Sequence, residues 1–126
     1  MAVEIRLAMD VRPPDVGRVG DCSIRALSTF MDLPYREVEE LVKANASYSP
    51  YRGVLNFDFY ALLRDLGLTR VDARIRLSGK NAVDRLPRKC LLIFRHHVAA
   101  YENGVVYDTF DVKQVPGCKQ TIAYFS

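Results

Sequence analysis

One cysteine and one pair of histidines carry the side chains best suited to covalent chemistry in this chain. Cys22 follows Gly20 and Asp21, and the two histidines of the sequence, His96 and His97, lie about 75 residues downstream. The thiolate is the nucleophilic form of cysteine, and a neighbouring imidazolium favours it. The combination predicts a thiol nucleophile whose proton is accepted by a histidine from a distant segment.

The segment after Cys22 predicts a helix that would activate this thiol. Apolar residues recur at helical spacing from Ile24 to Met31, and Asp21 stands at the N-cap position. Cys22 then falls in the first turn, where the positive end of the helix dipole stabilises a thiolate. We expect the Asp21 side chain to accept first-turn amide hydrogens, which would keep its charge away from the sulfur.

A hairpin predicts which carboxylate orients the histidine. Asn103-Gly104 is a strong hairpin signal, and a two-residue turn fixes the register of the strands on either side. Counting outward from the turn, Ala99 faces Asp108. His97 and Asp108 then lie on one face as diagonal neighbours, close enough for a hydrogen bond.

Two alternatives use the same part of the chain. In the hairpin register His96 faces Asp111, and a bulge or longer turn would favour that pair over His97 and Asp108. A zinc site built from Cys22 and these residues is disfavoured, because adjacent histidines on a strand point to opposite faces. The sequence therefore predicts a site without a metal or other cofactor.

The windows that hold these residues resemble the papain-like cysteine peptidase superfamily. GDCSIRALS at 20–28 is similar to its cysteine-bearing helix start, HVAAY from His97 is similar to its histidine strand, and Asp108-Thr109-Phe110 looks like its Asn-Ser-Trp. In the branch that processes bacteriocins, Asp serves as the orienting residue. The combination of GDC-x-x-RA with HHVAAYENGVVYDTFD also resembles small uncharacterised papain-like proteins of bacteriophages and bacteria, and the resemblance covers about 24 of the 126 residues.

This resemblance implies a function and a fold. It implies a papain-like fold, a catalytic triad of Cys22, His97 and Asp108, and a peptide or protein substrate. One position departs from the family pattern, because Val16 stands where the superfamily usually has the glutamine of the oxyanion hole. The backbone amide of Cys22 and the side chain of Arg18 are the remaining candidate donors, and the loss of one donor typically costs about 10²–10³ in turnover.

Two other functions stay open, and the departure at Val16 supports the first of them. One is a catalytically weak or inactive module that keeps the fold and binds a partner, for instance a phage protein that acts on a host factor. The other is an acyl or amide transferase, which would use the same triad and differ only in the acceptor of the acyl group.

The rest of the chain supplies the elements that position the site. Helices are predicted from Cys22, from Pro34 and over 55–66, the last ended by Gly67 in the left-handed conformation. Alternating or continuously apolar runs predict strands at 3–9, 71–77, 90–94, 97–101, 105–110 and 121–125. The segment 46–53 between the second and third helices is predicted as a loop, and its pockets would set specificity. Helices followed by a hairpin-connected antiparallel sheet indicate an α+β domain spanning 1–126.

Composition limits the class of protein. A chain of 126 residues with 49% hydrophobic residues can bury a core without disulfides or a structural metal. Its three cysteines, Cys22, Cys90 and Cys118, form no C-x-x-C pair, which excludes a four-thiolate zinc site and favours free thiols. No run approaches the roughly 20 apolar residues that span a bilayer, so we expect a cytoplasmic protein without a membrane partner.

The charge of the chain is unevenly distributed. The formal net charge is +3, yet residues 70–95 contain eight Lys or Arg against two Asp. Such a run indicates a basic stripe, which is most often the solvated face of a strand. No aromatic RNA-binding motif accompanies it, so nucleic acid is not the expected partner.

Overall fold

The computed structural model of the chain describes residues 1–7, 21–46, 48–49, 53–54, 56–109 and 111–126. Within these ranges there are four α-helices: α1 (Cys22–Met31), α2 (Tyr35–Asn45), α3 (Asn56–Asp65) and α4 (Ala82–Arg85). The strands are β1 (Glu4–Leu7), β2 (Tyr48–Ser49), β3 (Gly53–Val54), β4 (Arg70–Asp72), β5 (Lys89–Phe94), β6 (His97–Glu102), β7 (Val105–Asp108) and β8 (Ala123–Phe125). Two short 3₁₀ turns follow β7, at Val112–Gln114 and Pro116–Cys118.

Six of these strands form one mixed sheet in the order β1-β7-β6-β5-β8-β4, and β2 pairs with β3 apart from it. The predicted α+β class is confirmed. The expectation of a wholly antiparallel sheet is wrong, because β1 pairs parallel to β7. The Glu4 amide donates to the Gly104 carbonyl at 2.8 Å, which places β1 beside the hairpin turn and running in the direction of β7.

The β6–β7 hairpin has the predicted register. Ala100 pairs with Tyr107, Tyr101 with Val106 and Glu102 with Val105. Asn103 has φ 49° and Gly104 has φ 85°, and these two positive values define the primed turn that suits a two-residue hairpin. This turn determines where the last residue of β7, Asp108, lies relative to the first residue of β6, His97.

Both faces of the sheet are covered, which explains the continuously apolar run from Cys90 to Phe94 in β5. On one face, Leu91 and Ile93 pack in a cluster with α1, α2 and α3. On the other face, Cys90, Leu92 and Phe94 pack with the segments that flank α4 and with the turn at Pro116–Cys118.

Helix α1 lies against the sheet along one side. Its buried residues include Ile24 and Leu27, both fully inaccessible to solvent, and its principal neighbour in the sheet is β6. Burying a leucine or isoleucine side chain contributes about 1.5–3 kcal/mol. The packing therefore fixes the N-terminal end of α1 beside the start of β6.

Several boundaries differ from the sequence prediction. The predicted strand 71–77 is shorter, because the Thr121 hydroxyl accepts from the Ile75 amide and donates to the Ala73 carbonyl in place of a ladder partner. Beyond β4 one bridge, Arg76 to Gln120, continues the pairing. Helix α4 was not predicted, and the segment predicted as a loop at 46–53 contains β2 and the first residue of β3.

Other predictions agree with the structure or lie outside it. Gly67 follows α3 with φ 89°, the left-handed conformation that was expected. The part of strand 3–9 beyond Leu7 and the first residue of the predicted helix 55–66, Leu55, lie outside the described residues. Among the helices described, none is long and apolar enough to cross a membrane.

Candidate active site

The structure places Cys22 at the first residue of α1, with Asp21 at the N-cap position. The first amides of a helix have no intrahelical acceptor, and their positive end favours an anion at this position. The Cys22 thiol is partly exposed, hydrogen-bonds to the His97 side chain and receives a hydrogen bond from the backbone of Val98. The sulfur is therefore surrounded by groups that stabilise its thiolate.

His97 is held between the sulfur and a carboxylate. Its Nε2 lies 2.5 Å from Oδ2 of Asp108, which leaves Nδ1 for Cys22. Its ring stacks on Phe94 with centroids 6.2 Å apart. His97 is 10% exposed and Asp108 is 5% exposed, so little solvent competes for this hydrogen bond. The three predicted site residues are brought together in the predicted order.

The pKa values of the two reactive groups shift in opposite directions. Burial raises the pKa of the Cys22 thiol, but hydrogen bonds from His97 and Val98 and the positive charges of His97 and Arg25 outweigh it, so the net pKa is lowered. Burial also lowers the pKa of His97, but Asp108 and Cys22 outweigh it and raise that pKa to about 9. Both shifts favour the form of the pair in which Cys22 is a thiolate and His97 is an imidazolium.

Arg25 connects the carboxylates on either side of the site. Its Nε donates to Oδ1 of Asp21 at 2.9 Å, and its Nη1 donates to the Thr109 hydroxyl at 2.8 Å and lies 3.4 Å from Oδ1 of Asp108. The Thr109 amide also donates to Asp108 Oδ1 at 2.7 Å. Both oxygens of Asp108 are thus occupied, which fixes the plane of the carboxylate that holds His97.

Asp21 does not act as the predicted cap. The N-cap side chain accepts no first-turn amide hydrogen; its Oδ1 is held by Arg25, and its Oδ2 accepts from the Tyr35 hydroxyl at 3.0 Å. The carboxylate is 1% exposed and its charge is balanced by the guanidinium. The negative charge of Asp21 is therefore balanced by its ion pair with Arg25, whereas helix capping was expected to keep this charge from opposing the Cys22 thiolate.

The competing histidine and carboxylate are placed elsewhere. His96 is exposed in the turn between β5 and β6. Asp111 accepts from the Lys113 amide at 2.9 Å and caps the turn at Val112–Gln114. In the described part of the chain the histidine–carboxylate pair is therefore His97 and Asp108.

The other two cysteines are buried. Burial raises the pKa of Cys90 to about 12. Burial raises the pKa of Cys118 to about 11, and the negative charges of Asp108 and Cys22 add to the rise. Both thiols are therefore protonated at neutral pH, and Cys118 lies near the site without sharing its chemistry.

The oxyanion donors are only partly within the described residues. Val16 and Arg18 lie outside them, as does Phe110 of the window that resembles Asn-Ser-Trp. The backbone amide of Cys22, at the first position of α1, is left without an intrahelical acceptor and is a candidate donor. Across the ranges that are described, no group of three or more His, Cys, Asp or Glu side chains is arranged to hold a metal ion.

Sequence reasoning missed the roles of Arg25, Tyr35 and Thr109. The i,i+4 spacing of Asp21 and Arg25 was a signal for the ion pair on α1. No sequence signal joined Arg25 to Asp108, because that contact needs the packing of α1 on the hairpin.

Comparison of the chain with protein-family models, with curated proteins and with solved structures finds no match. The papain-like resemblance accordingly stays a prediction based on the two windows around Cys22 and His97.

Proposed function

We propose that this chain is a cysteine-dependent amide hydrolase of the peptidase type. The observation that carries the proposal is the hydrogen-bonded series Cys22, His97 and Asp108, in which the thiol pKa is lowered and the imidazole pKa is raised. A reactive thiol of this kind at a helix N-terminus is typical of nucleophilic catalysis.

The reaction uses the groups of the site in two stages. The Cys22 thiolate attacks the amide carbonyl carbon, and the Nδ1 proton of His97 passes to the leaving amine as the C–N bond breaks, which leaves a thioester. Neutral His97 then accepts a proton from water, whose oxygen attacks the thioester carbonyl and releases the acid. Asp108 keeps the ring oriented and stabilises the imidazolium throughout.

The proposal is tested by the pH dependence of Cys22 alkylation with iodoacetamide, followed by mass spectrometry of the Cys22 peptide. An ordinary thiol with a pKa of about 8.5 is only about 0.3% ionised at pH 6. We expect Cys22 to react at pH 6 at a substantial fraction of its rate at pH 8. A single rise with a midpoint near the ordinary pKa of cysteine would contradict the proposal.

Two variants control this experiment. Cys22→Ala should abolish fast labelling, since the Cys90 and Cys118 thiols are buried and protonated. Cys118→Ala should label like the wild type. Hydrolysis itself is tested by incubating the chain with a mixture of peptides and identifying new termini, which should be absent with Cys22→Ala and present with Cys118→Ala.

A further inference from the structure

A basic groove lies on the surface beside the sheet edge. Its volume is about 640 Å³, and its lining consists of Arg74, Arg76, Arg95, Pro116, Gly117, Lys119, Gln120 and Ile122. Four of these residues are cations and none is acidic. The β-bridge between Arg76 and Gln120 links the two chain segments that form the walls of the groove.

The four cations of the basic groove are available for a ligand. Within the residues that the structure describes, none of Arg74, Arg76, Arg95 and Lys119 forms an ion pair, and all four are exposed. The nearby Arg70 differs, because its Nε lies 2.8 Å from Asp72. Like charges gathered in a concave surface raise the local concentration of an oppositely charged ligand.

Two residues that line the basic groove are close in sequence to residues in or beside the candidate active site. Arg95 precedes His97 by two residues, so their Cα atoms are separated by at most about 8 Å. Lys119 follows Cys118, whose buried thiol experiences the charges of Asp108 and Cys22. A polypeptide that occupied the groove would therefore be held near the candidate active site.

We propose that the basic groove binds an acidic stretch of the polypeptide whose amide bond is presented to Cys22. This inference rests on the proposed function and names its class of substrate. A nucleic acid fits the lining less well, because single strands are held by bases stacked on aromatic side chains and the lining contains none. A chain rich in Asp or Glu needs only the charges that the groove supplies.

Binding is measured first without catalysis. The Cys22→Ala protein is titrated into a fluorescein-labelled decapeptide of Glu, Gly and Ser, into the same peptide with Lys in place of Glu, and into a single-stranded deoxyoligonucleotide, with anisotropy as the signal. We expect the acidic peptide to bind at least tenfold more tightly than the lysine peptide. Tighter binding of the oligonucleotide would overturn the proposal in favour of a nucleic-acid site.

Two pairs of substitutions locate the binding. Arg76→Gln with Lys119→Gln removes two charges of the groove and should weaken acidic-peptide binding about tenfold. Arg64→Gln with Lys80→Gln removes two exposed charges outside it and should leave the affinity within about twofold. Equal losses in the two pairs would show that only net charge matters and would overturn the proposal. Unchanged melting temperatures verify that each protein is folded.

Peptides that carry a reactive group test whether a ligand bound in the groove reaches the Cys22 thiol. With a bromoacetyl group at one end, the acidic peptide should alkylate Cys22 of the wild type about tenfold faster than the lysine peptide, and the groove pair should abolish this preference. Iodoacetamide, which is small and neutral, should react equally with the wild type and with both pairs of variants. If the acidic peptide is not preferred but Cys22 still reacts with iodoacetamide at low pH, the groove proposal is refuted and the proposed hydrolase is not. If the acidic peptide binds selectively but the pH dependence of iodoacetamide alkylation is that of an ordinary thiol, the proposed hydrolase is refuted and the binding groove is not.

Discussion

At the scale of the residue, the two carboxylate oxygens of Asp108 contact two different side chains, His97 and Arg25. Oδ2 contacts His97, and Oδ1 lies between Arg25 and the Thr109 amide. The imidazole ring is thereby held with one nitrogen toward the sulfur, and its positive form is stabilised by a neighbouring negative charge. The protonation of the site therefore depends on a residue that never touches the reacting bond.

Asp108→Asn should lower the pKa of His97 from about 9 by about 1 to 3 pH units, because the amide removes the negative charge that favours the imidazolium. The change is measured by NMR titration of the ring. Cys22 alkylation at pH 6 should slow in the same variant, since its thiolate loses part of its partner. A His97 pKa that stays near 9 in the Asn variant would show that Asp108 is not the cause.

Arg25→Gln should lower the free energy of unfolding by about 3 kcal/mol, because it leaves two buried carboxylates without their shared cation. The loss is measured by denaturant unfolding. Asp21→Asn removes one of those charges, so the double variant Asp21→Asn with Arg25→Gln should lose less than the sum of the single losses.

A purely structural role of Arg25 would leave the chemistry of the thiol unchanged once the protein is folded. We expect instead that the Cys22 alkylation profile of Arg25→Gln moves to higher pH, since the Arg25 charge lowers the thiol pKa. Arg25→Lys keeps the charge and should restore much of the profile while losing the forked contacts to Asp21 and Thr109. Identical profiles in all three proteins would remove Arg25 from the site.

At the scale of the element, the β6–β7 hairpin is the part of the site that sequence predicts best. A two-residue turn and the two-residue period of a strand leave one register, and that register puts His97 and Asp108 on the same face. The partner of β1 was not predictable in this way. Its four residues carry no turn that would fix a neighbour, and the parallel pairing with β7 depends on how the completed sheet exposes an edge.

Gly104→Ala tests how much the turn contributes. Gly104 has φ 85°, which costs an L-residue about 1 kcal/mol, whereas the nearest atom to an added Cβ is at an ordinary distance of 3.6 Å. We expect a loss of about 1 kcal/mol in unfolding free energy. The matched control is Gly117→Ala, where a Cβ meets nothing within 4 Å and φ is not positive, and its effect should be near zero. Equal losses at the two glycines would contradict this account of the turn.

At the scale of the whole molecule, the site joins segments from both halves of the chain. The sequence predicts a thiol in the first turn of a helix and a histidine at a strand start, because each depends on local pattern. The ion pair of Arg25 with Asp108, by contrast, depends on where α1 packs across the sheet. The position of α1 follows from the burial of its residues against the sheet and from the coverage of both sheet faces. These are properties of the folded chain that no local sequence pattern contains.

The stability of the whole molecule should depend on pH through Cys22. Its pKa is lower in the folded than in the unfolded chain, so its contribution is present above the unfolded pKa and is lost as pH falls through the folded pKa. The difference in unfolding free energy between wild type and Cys22→Ala should therefore increase from pH 5 to pH 8, by at most about 1.4 kcal/mol per pH unit. Urea unfolding at several pH values measures it, and a difference that does not change with pH would contradict a stabilised thiolate.

Negative and positive groups alternate through the site, from Cys22 to His97, Asp108, Arg25 and Asp21. Each group contacts a group of opposite charge. The side chains of His97, Asp108, Arg25 and Asp21 are at most 14% exposed, which leaves little room for mobile ions between them. Bulk electrolyte screens exposed charges beyond about 3 Å at 1 M salt but reaches such contacts poorly. Concentrated salt should consequently release an acidic chain from the groove while the sulfur keeps its reactivity, so that recognition and nucleophilicity become separable by ionic strength alone.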